Sequence, residues 1–355
     1  MKNPPLLFTR RRFAALAISA ISLSVFCAGC NKSDSGSAST GGAGTQPAAA
    51  TKREVHKGPD SGTIKLAFVT NNSSDFWNIA QKGLDKFSKE AKDAGWNVQI
   101  DMKRPDGTTQ DQNRILDDLV TNGYNGIAIS PISPKDQTRK LNDVAGKTNL
   151  ICFDSDAAMS NRLAYIGTNN YEAGKALGNE IVKLLPQGGK IAVFVGTFSA
   201  DNAAQRLKGV EDAVTPHGIT IAAKKEDNKA AAAARANVDD VLNAQPDVKL
   251  MVGIWSYNGP QIAKAIDQAG KKGKVLAAVF DEESGTLDGI ESGIISCSVV
   301  QKPFEFGYQS SKMLYNLAKN GESALPKDPV IDTGYTVINS ENVKDFRTKL
   351  AELTK

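Results

Sequence analysis

This 355-residue chain has little cysteine and almost no histidine: four cysteines and two histidines. Cys27 and Cys30 sit near the N-terminus, leaving Cys152 and Cys297 each inside an apolar, strand-like run, where buried free thiols are expected rather than a disulfide or metal pair. Apart from Cys27-Ala28-Gly29-Cys30 near the N-terminus there is no CxxC, and there is no His-rich cluster, so no metal or cofactor is expected. His56 and His217 give no basis for a catalytic base placed in a cleft. The chain also lacks G-x-S-x-G, G-x-x-x-x-G-K-[ST] and G-x-G-x-x-G, which removes the common hydrolase, P-loop and dinucleotide-binding signatures. Excess charge is missing too. The formal +4 is carried by Lys2, Arg10, Arg11 and Arg12, and the remaining chain is neutral, without the positive footprint that nucleic-acid binding needs.

Those four basic residues open an export signal assigned to residues 1–30. An apolar run, Phe13 to Ala28, follows the arginines and is shorter than the roughly 20 residues that span a bilayer. Arg11-Arg12-Phe13 resembles a twin-arginine signal, while three arginines equally suit the general secretory route. Cys27-Ala28-Gly29-Cys30 resembles a lipoprotein cleavage motif, with Cys30 as the lipidated first residue and Cys27 where an aliphatic residue is usual. Plain signal cleavage near Ala28 is the alternative. Residues 31–62, rich in Ser, Gly, Ala, Thr and Pro without apolar periodicity, bury too little surface to offset ordering entropy and read as a flexible leash.

From Thr63 onward the pattern is α/β. Apolar runs of buried-strand type (Ile64–Thr70, Val98–Asp101, Gly126–Ser130, Leu150–Phe153) alternate with amphipathic stretches such as Phe76–Ala94, implying a parallel sheet with helices on both faces. At Lys190–Val195 the pattern restarts. Val69 precedes Lys82-Gly83 by the same distance as Val195 precedes Lys208-Gly209. The expectation is two doubly wound parallel-sheet lobes with a hinged cleft between them. The first lobe takes residues 63–168 plus about 302–331, and the second 169–301 plus about 332–355. Ligands of such sheets bind beyond the carboxyl ends of the strands, so the residues that follow strands are the candidates.

After the first strand comes Asn71-Asn72-Ser73-Ser74-Asp75-Phe76-Trp77, which offers amides, hydroxyls and two aromatic faces suited to a sugar. Packing of one of Phe76 and Trp77 into the core is compatible with this. Asp154 and Ser155 follow Leu150–Phe153, and Asp281 follows Val275–Phe280. A strand-end carboxylate can accept hydrogen bonds from two vicinal hydroxyls. Asp156 and Glu283 are expected to cap helices or face solvent. Asp154 and Asp281 also have the makings of a glycosidase acid–base pair, but hydroxyl binding explains them with fewer assumptions.

The Asn/Ser-rich loop ending in Phe76-Trp77, Cys152-Phe153-Asp154, Gly167-Thr168-Asn169-Asn170, Asn202 to Arg206 with Lys208-Gly209, Gln245-Pro246-Asp247-Val248, Phe280-Asp281 and Gln301 together resemble the type I periplasmic sugar-binding proteins, ribose-binding group. The resemblance runs from Thr63 to about Asn339. It implies a monomeric, non-enzymatic, extracytoplasmic solute-binding protein that delivers a small sugar or polyol to an ABC permease. It also implies that Phe76 and Trp77 stack on the ligand, that Ser74 or Asn71 bonds a hydroxyl, and that Asp154, Arg206, Asp281 and Gln301 supply the polar contacts. Ser155 stands where the ribose-binding pattern has Arg, Trp255 where it has Asn, and Asn228-Lys229 near where it has an aromatic. These differences imply a reshaped pocket. A sensor that presents the same solute to a membrane receptor is a second expectation, and an exported carbohydrate-active enzyme a third. A repressor of related fold would carry a DNA-binding helix-turn-helix where this chain has its signal and leash.

Overall fold

The computed structural model describes residues 53–74 and 76–354, so the signal, Cys30, most of the expected leash and Asp75 lie outside the described residues. The first lobe runs β1 (Ile64–Val69), α1 (Phe76–Asp93), β2 (Val98–Lys103), α2 (Thr109–Thr121), β3 (Gly126–Ile129), α3 (Pro134–Ala145), β4 (Asn149–Phe153) and β5 (Tyr165–Gly167). The second runs α4 (Asn170–Leu184), β6 (Gly189–Val195), α5 (Asp201–Val214), β7 (Ile219–Glu226), α6 (Ala231–Ala244), β8 (Val248–Gly253), α7 (Asn258–Gln268), β9 (Leu276–Phe280), α8 (Ser284–Glu291) and β10 (Cys297–Val300). The chain then returns to the first lobe as α9 (Pro303–Asn320) and β11 (Val330–Asp332), and ends on the second as β12 (Thr336–Asn339) and α10 (Val343–Leu353).

Strand order is β11-β5-β4-β3-β1-β2 in the first sheet and β12-β10-β9-β8-β6-β7 in the second. Every pairing is parallel except β10–β12, where a short antiparallel edge strand closes an otherwise parallel sheet. Central strands such as Gly126–Ile129 and Asn149–Phe153 are buried along their whole length, because helices cover both faces. One face of the first sheet packs Phe68, Trp77, Phe87, Phe153 and Phe306, with the Phe68 and Phe153 rings stacked at 3.8 Å. Cys152 and Cys297 are free and buried, each in a different sheet, and burial pushes the Cys297 thiol up to about 12.

The repeated Lys-Gly pair has a packing cause. A Cβ on Gly83 would lie 2.1 Å from the Phe304 carbonyl oxygen of α9, and one on Gly209 2.2 Å from the Tyr171 carbonyl oxygen of α4. In each lobe the helix that follows the first strand (α1 after β1, α5 after β6) meets its partner backbone to backbone, and only glycine permits that approach.

Residues 53–58, expected to belong to the leash, are held on the first lobe. The His56 N–H donates to Asn149 Oδ1 at 2.9 Å, Asn149 Nδ2 donates back to His56 O at 2.7 Å, and the Gly58 N–H donates to Ala318 O at 2.8 Å. Val55 packs on the first-lobe core. Those backbone groups find partners on the lobe that composition alone does not reveal. Replacing Gly209 with Val should destabilise the protein by about 3 kcal/mol or more in urea unfolding, because backbone atoms cannot yield. Gly146→Ala, whose Cβ would meet nothing nearer than 3.7 Å, should change stability by less than about 1 kcal/mol. Equal effects from the two substitutions would contradict this packing account.

Candidate functional site

The carboxyl ends of β4 and β9 each terminate in an aspartate held in the left-handed region, Asp154 at φ 57° and Asp281 at φ 69°. Aspartate tolerates that conformation better than most residues, but it still costs about 1 kcal/mol and persists only where neighbours fix it. Both backbones are fixed alike. Tyr165 Oη donates to Asp154 O at 2.9 Å, and Ser298 Oγ donates to Asp281 O at 2.6 Å. The strained turns set the Asp154 carboxylate against Asn202 of the opposite lobe and the Asp281 carboxylate beside Gln301 and Arg206 of its own.

Around Asp154 the first lobe supplies Ser130 Oγ at 2.7 Å and Asn71 Nδ2 at 3.3 Å, both donating to Oδ2. From the second lobe, Asn202 Nδ2 reaches the same carboxylate at 3.3 and 3.2 Å. Asn202 Oδ1 in turn accepts from Trp255 Nε1 at 3.2 Å. Asp281 accepts from Gln301 Nε2 at 3.0 Å and lies 3.7 Å from Arg206 Nη1. Arg206 is buried. Its Nε donates to Asn170 Oδ1 and its Nη1 to Ile254 O, both at 2.9 Å, and its guanidinium sits 4.4 Å above the Phe280 ring.

A small cavity of about 30 Å³ lies among these groups, lined by Asn71, Asn72, Ser74, Phe76, Trp77, Asp154, Asn202, Arg206, Trp255, Ser256, Tyr257, Asp281 and Gln301. Of the strand-end candidates, only Ser155 is missing from the lining. It is fully buried, and its hydroxyl has no partner among the described residues. Asp156 is not a cap: it forms a two-pronged ion pair with Arg162, because the loop folds back and brings the guanidinium onto it. Phe76 and Trp77 both edge the cavity and both pack inward. Trp77 meets Phe153 edge-on at 5.6 Å and donates Nε1 to Asn72 Oδ1 at 3.0 Å, and Phe76 lies edge-on to Trp77 at 4.8 Å. Core and wall are thus one layer.

Sequence reasoning missed Asn72, Asn202, Ser256 and Tyr257 as cavity residues. Asn202 had a signal, since it lies one turn before Arg206 on the same helix face. Ser256 and Tyr257 follow Trp255 at the end of β8. A larger recess of about 470 Å³ lies by α9, β12 and α10, but it is mostly apolar and shares only Gln301 with the smaller cavity. The convergent polar groups are in the smaller one.

Three buried polar atoms of the cavity have no partner among the described residues: Asn71 Oδ1, Arg206 Nη2 and Gln301 Oε1. Leaving such groups unpaired costs about 1–3 kcal/mol each, so the cavity is poised for a molecule that both donates and accepts hydrogen bonds. Burial raises the pKa of Asp154, opposed by Arg206, Ser130 and Asn202. Burial raises Asp281 as well, to about 6, against the pull of Arg206 and Gln301 and with some help from Asp154. The folded protein therefore holds the Asp281 proton more tightly than the unfolded chain, whose carboxyl titrates near 3.9. The stabilisation is complete below about pH 4 and is lost as pH rises through 6. Ligand-free Asp281→Asn should then exceed wild type in urea stability at pH 7.5, by about 1–3 kcal/mol, and the gap should close toward pH 4. A pH-independent difference would contradict the assignment.

Comparison with known proteins agrees with this geometry. Residues 66–323 match the periplasmic binding protein domain family. A D-allose-binding periplasmic protein of Escherichia coli is 26% identical over 266 residues, covering 72% of this chain and 84% of that protein. A xylose/arabinose-binding protein of Sulfolobus acidocaldarius is 24% identical, covering 81% of this chain and 74% of the other. Among solved structures, an ABC transporter solute-binding protein from Burkholderia graminis in complex with D-arabinose superposes with a TM-score of 0.74 at 27% identity. It covers 79% of this chain and 96% of its own. With the family match spanning most of the chain, and two doubly wound lobes that meet at facing strand-end carboxylates, the chain belongs to the periplasmic binding protein domain family and is a binding protein rather than an enzyme.

Proposed function

We propose that this protein captures a single neutral monosaccharide, or a polyol of similar size, between its lobes and delivers it to an ABC permease. The observation that carries this reading is the cavity's polar set. Asp154 approaches from one lobe, Arg206 and Asp281 from the other, with three buried polar atoms still to be paired. A ring of hydroxyls meets that demand, since each hydroxyl donates once and accepts twice. Arg206, held through Nε and Nη1, keeps Nη2 for a hydroxyl oxygen. Phe76, Trp77 and Trp255 provide apolar surface for C–H faces. The relatives named for allose, xylose/arabinose and arabinose support the same class.

Trp255 tunes the pocket. A Cβ on Gly196 would lie 2.1 Å from the indole Cζ3, so the ring rests directly on the backbone that follows β6. Its hydrogen bond to Asn202 fixes the ring plane. In this reading Cys30 anchors the exported protein to the membrane by a lipid, and the Ser/Gly-rich segment after it spans the gap to the first lobe.

Thermal-shift screening of residues 53–355 against monosaccharides, polyols and inositols should give a selective upward shift, followed by saturable, stoichiometric heat in calorimetry. Asp281→Ala and Trp255→Ala should abolish or weaken binding at least tenfold while the ligand-free proteins remain folded. Arg206→Ala is the less clean variant: it also orphans Asn170 and the Ile254 carbonyl, and should lower the melting temperature. Full affinity in both Asp281→Ala and Trp255→Ala would overturn the site, and turnover of the sugar would favour an enzyme. In the full-length chain, Cys30→Ser should move the protein from the membrane to the soluble envelope fraction; continued membrane retention would sink the lipid anchor.

A further inference from the structure

At the end of β7, two consecutive non-glycine residues adopt left-handed backbone, Asn228 at φ 52° and Lys229 at φ 68°. Asparagine accepts this readily; lysine does not, at roughly 1–2 kcal/mol. The surroundings hold the pair from every side. The Asp227 N–H donates to Val195 O at 3.1 Å and the Asn228 N–H to Gly196 O at 2.9 Å, while the Lys229 N–H donates to Asp227 Oδ1 at 2.8 Å. Asp227 is pinned in turn by Tyr257 Oη at 2.6 Å and Asn258 Nδ2 at 3.0 Å. Strain that is over-determined in this way is kept where it aims a side chain.

The side chain it aims is Lys229, which leaves the second lobe and crosses to the first. Its Nζ donates to the carbonyl oxygen of Gly107, in the loop between β2 and α2. Gly107 has φ 96°, a conformation that suits glycine, and the space a Cβ would occupy there is faced by Lys229 Cδ at 3.5 Å. Asp106 adds a favourable charge beside the ammonium. Neither Lys229 nor Gly107 lines the cavity at Asp154 and Asp281, yet Asp227 joins Lys229 to Tyr257, which does.

Resting on the binding reading above, we infer that Lys229 is an interlobe latch. It makes its bond to Gly107 when the lobes are shut and thereby slows ligand release without touching the ligand. Donor and acceptor belong to different lobes, so hinge opening must break the contact, and closure re-forms it whatever sugar is inside. A charge-assisted hydrogen bond of this kind is a strong one. A latch acts equally on every ligand, whereas a ligand contact discriminates among them.

The test uses Lys229→Met and Lys229→Gly. The glycine variant removes the latch and relieves the left-handed backbone, so its melting temperature should fall by no more than a few degrees. Stopped-flow and calorimetry with two sugars that bind the wild type should show release about tenfold faster in both variants. Association should stay within about twofold, and affinity should drop by the same factor for both sugars. Unchanged release in the two variants, or a loss confined to one sugar, would overturn the latch. If the wild type binds no sugar at all, the functional reading fails instead. The latch is then judged by small-angle scattering of the ligand-free proteins, where a larger radius of gyration in Lys229→Gly supports it and an identical one rejects it.

Discussion

The structure turns on one guanidinium placed near two buried carboxylates at facing strand ends. Asp281 lies 3.7 Å from Arg206, and the same cation lowers the pKa of Asp154 against the effect of burial. Two carboxylates cannot be brought together in a dry cleft without such a counter-charge. Arg206 is itself held by Asn170, the Ile254 carbonyl and the Phe280 ring, so the second lobe presents it as a fixed group. Much of the site's geometry follows from that placement. Asp281 lies beside it, Gln301 braces that carboxylate, and Asn202 carries the other lobe's carboxylate through to the Trp255 indole.

Backbone strain is distributed in a telling way. The non-glycine residues with positive φ among those described are Asp154, Asn228, Lys229 and Asp281. Two carry the cavity's carboxylates and two form the interlobe strap. Each follows a strand at its carboxyl end, the region where open α/β sheets meet their ligands. The rest of the fold is locally consistent, and its strained positions gather at the cleft.

Much of this was legible in the sequence because it depends on local pattern. Leu150–Phe153 and Val275–Phe280 read as buried strands from their apolar runs, and Asp154 and Asp281 fall at their ends by simple adjacency. The Lys82-Gly83 and Lys208-Gly209 echo pointed to a repeated design, although its cause, close helix contact, is visible only in three dimensions. What stayed hidden depends on contacts distant in sequence. Asn202 is a cavity residue because it meets Asp154, 48 residues away. Ser155 is fully buried and does not line the cavity, which adjacency to Asp154 alone does not reveal. Arg53 to Gly58 looked like tether from composition, yet their backbone groups bond to Asn149 and Ala318. Phe76 and Trp77 posed a choice between core and binding face that the fold does not make, since one ring layer serves both.

The central claim is that a neutral sugar is held jointly by the two lobes at these carboxylates. A crystal structure of the protein with its tightest-binding monosaccharide tests it most directly. The account predicts ring hydroxyls within hydrogen-bond distance of Asp154 from one lobe and of Arg206 and Asp281 from the other, with Asn71 Oδ1, Arg206 Nη2 and Gln301 Oε1 newly paired. A sugar seated in the larger recess by α9 and α10, or bound by one lobe alone, would contradict it.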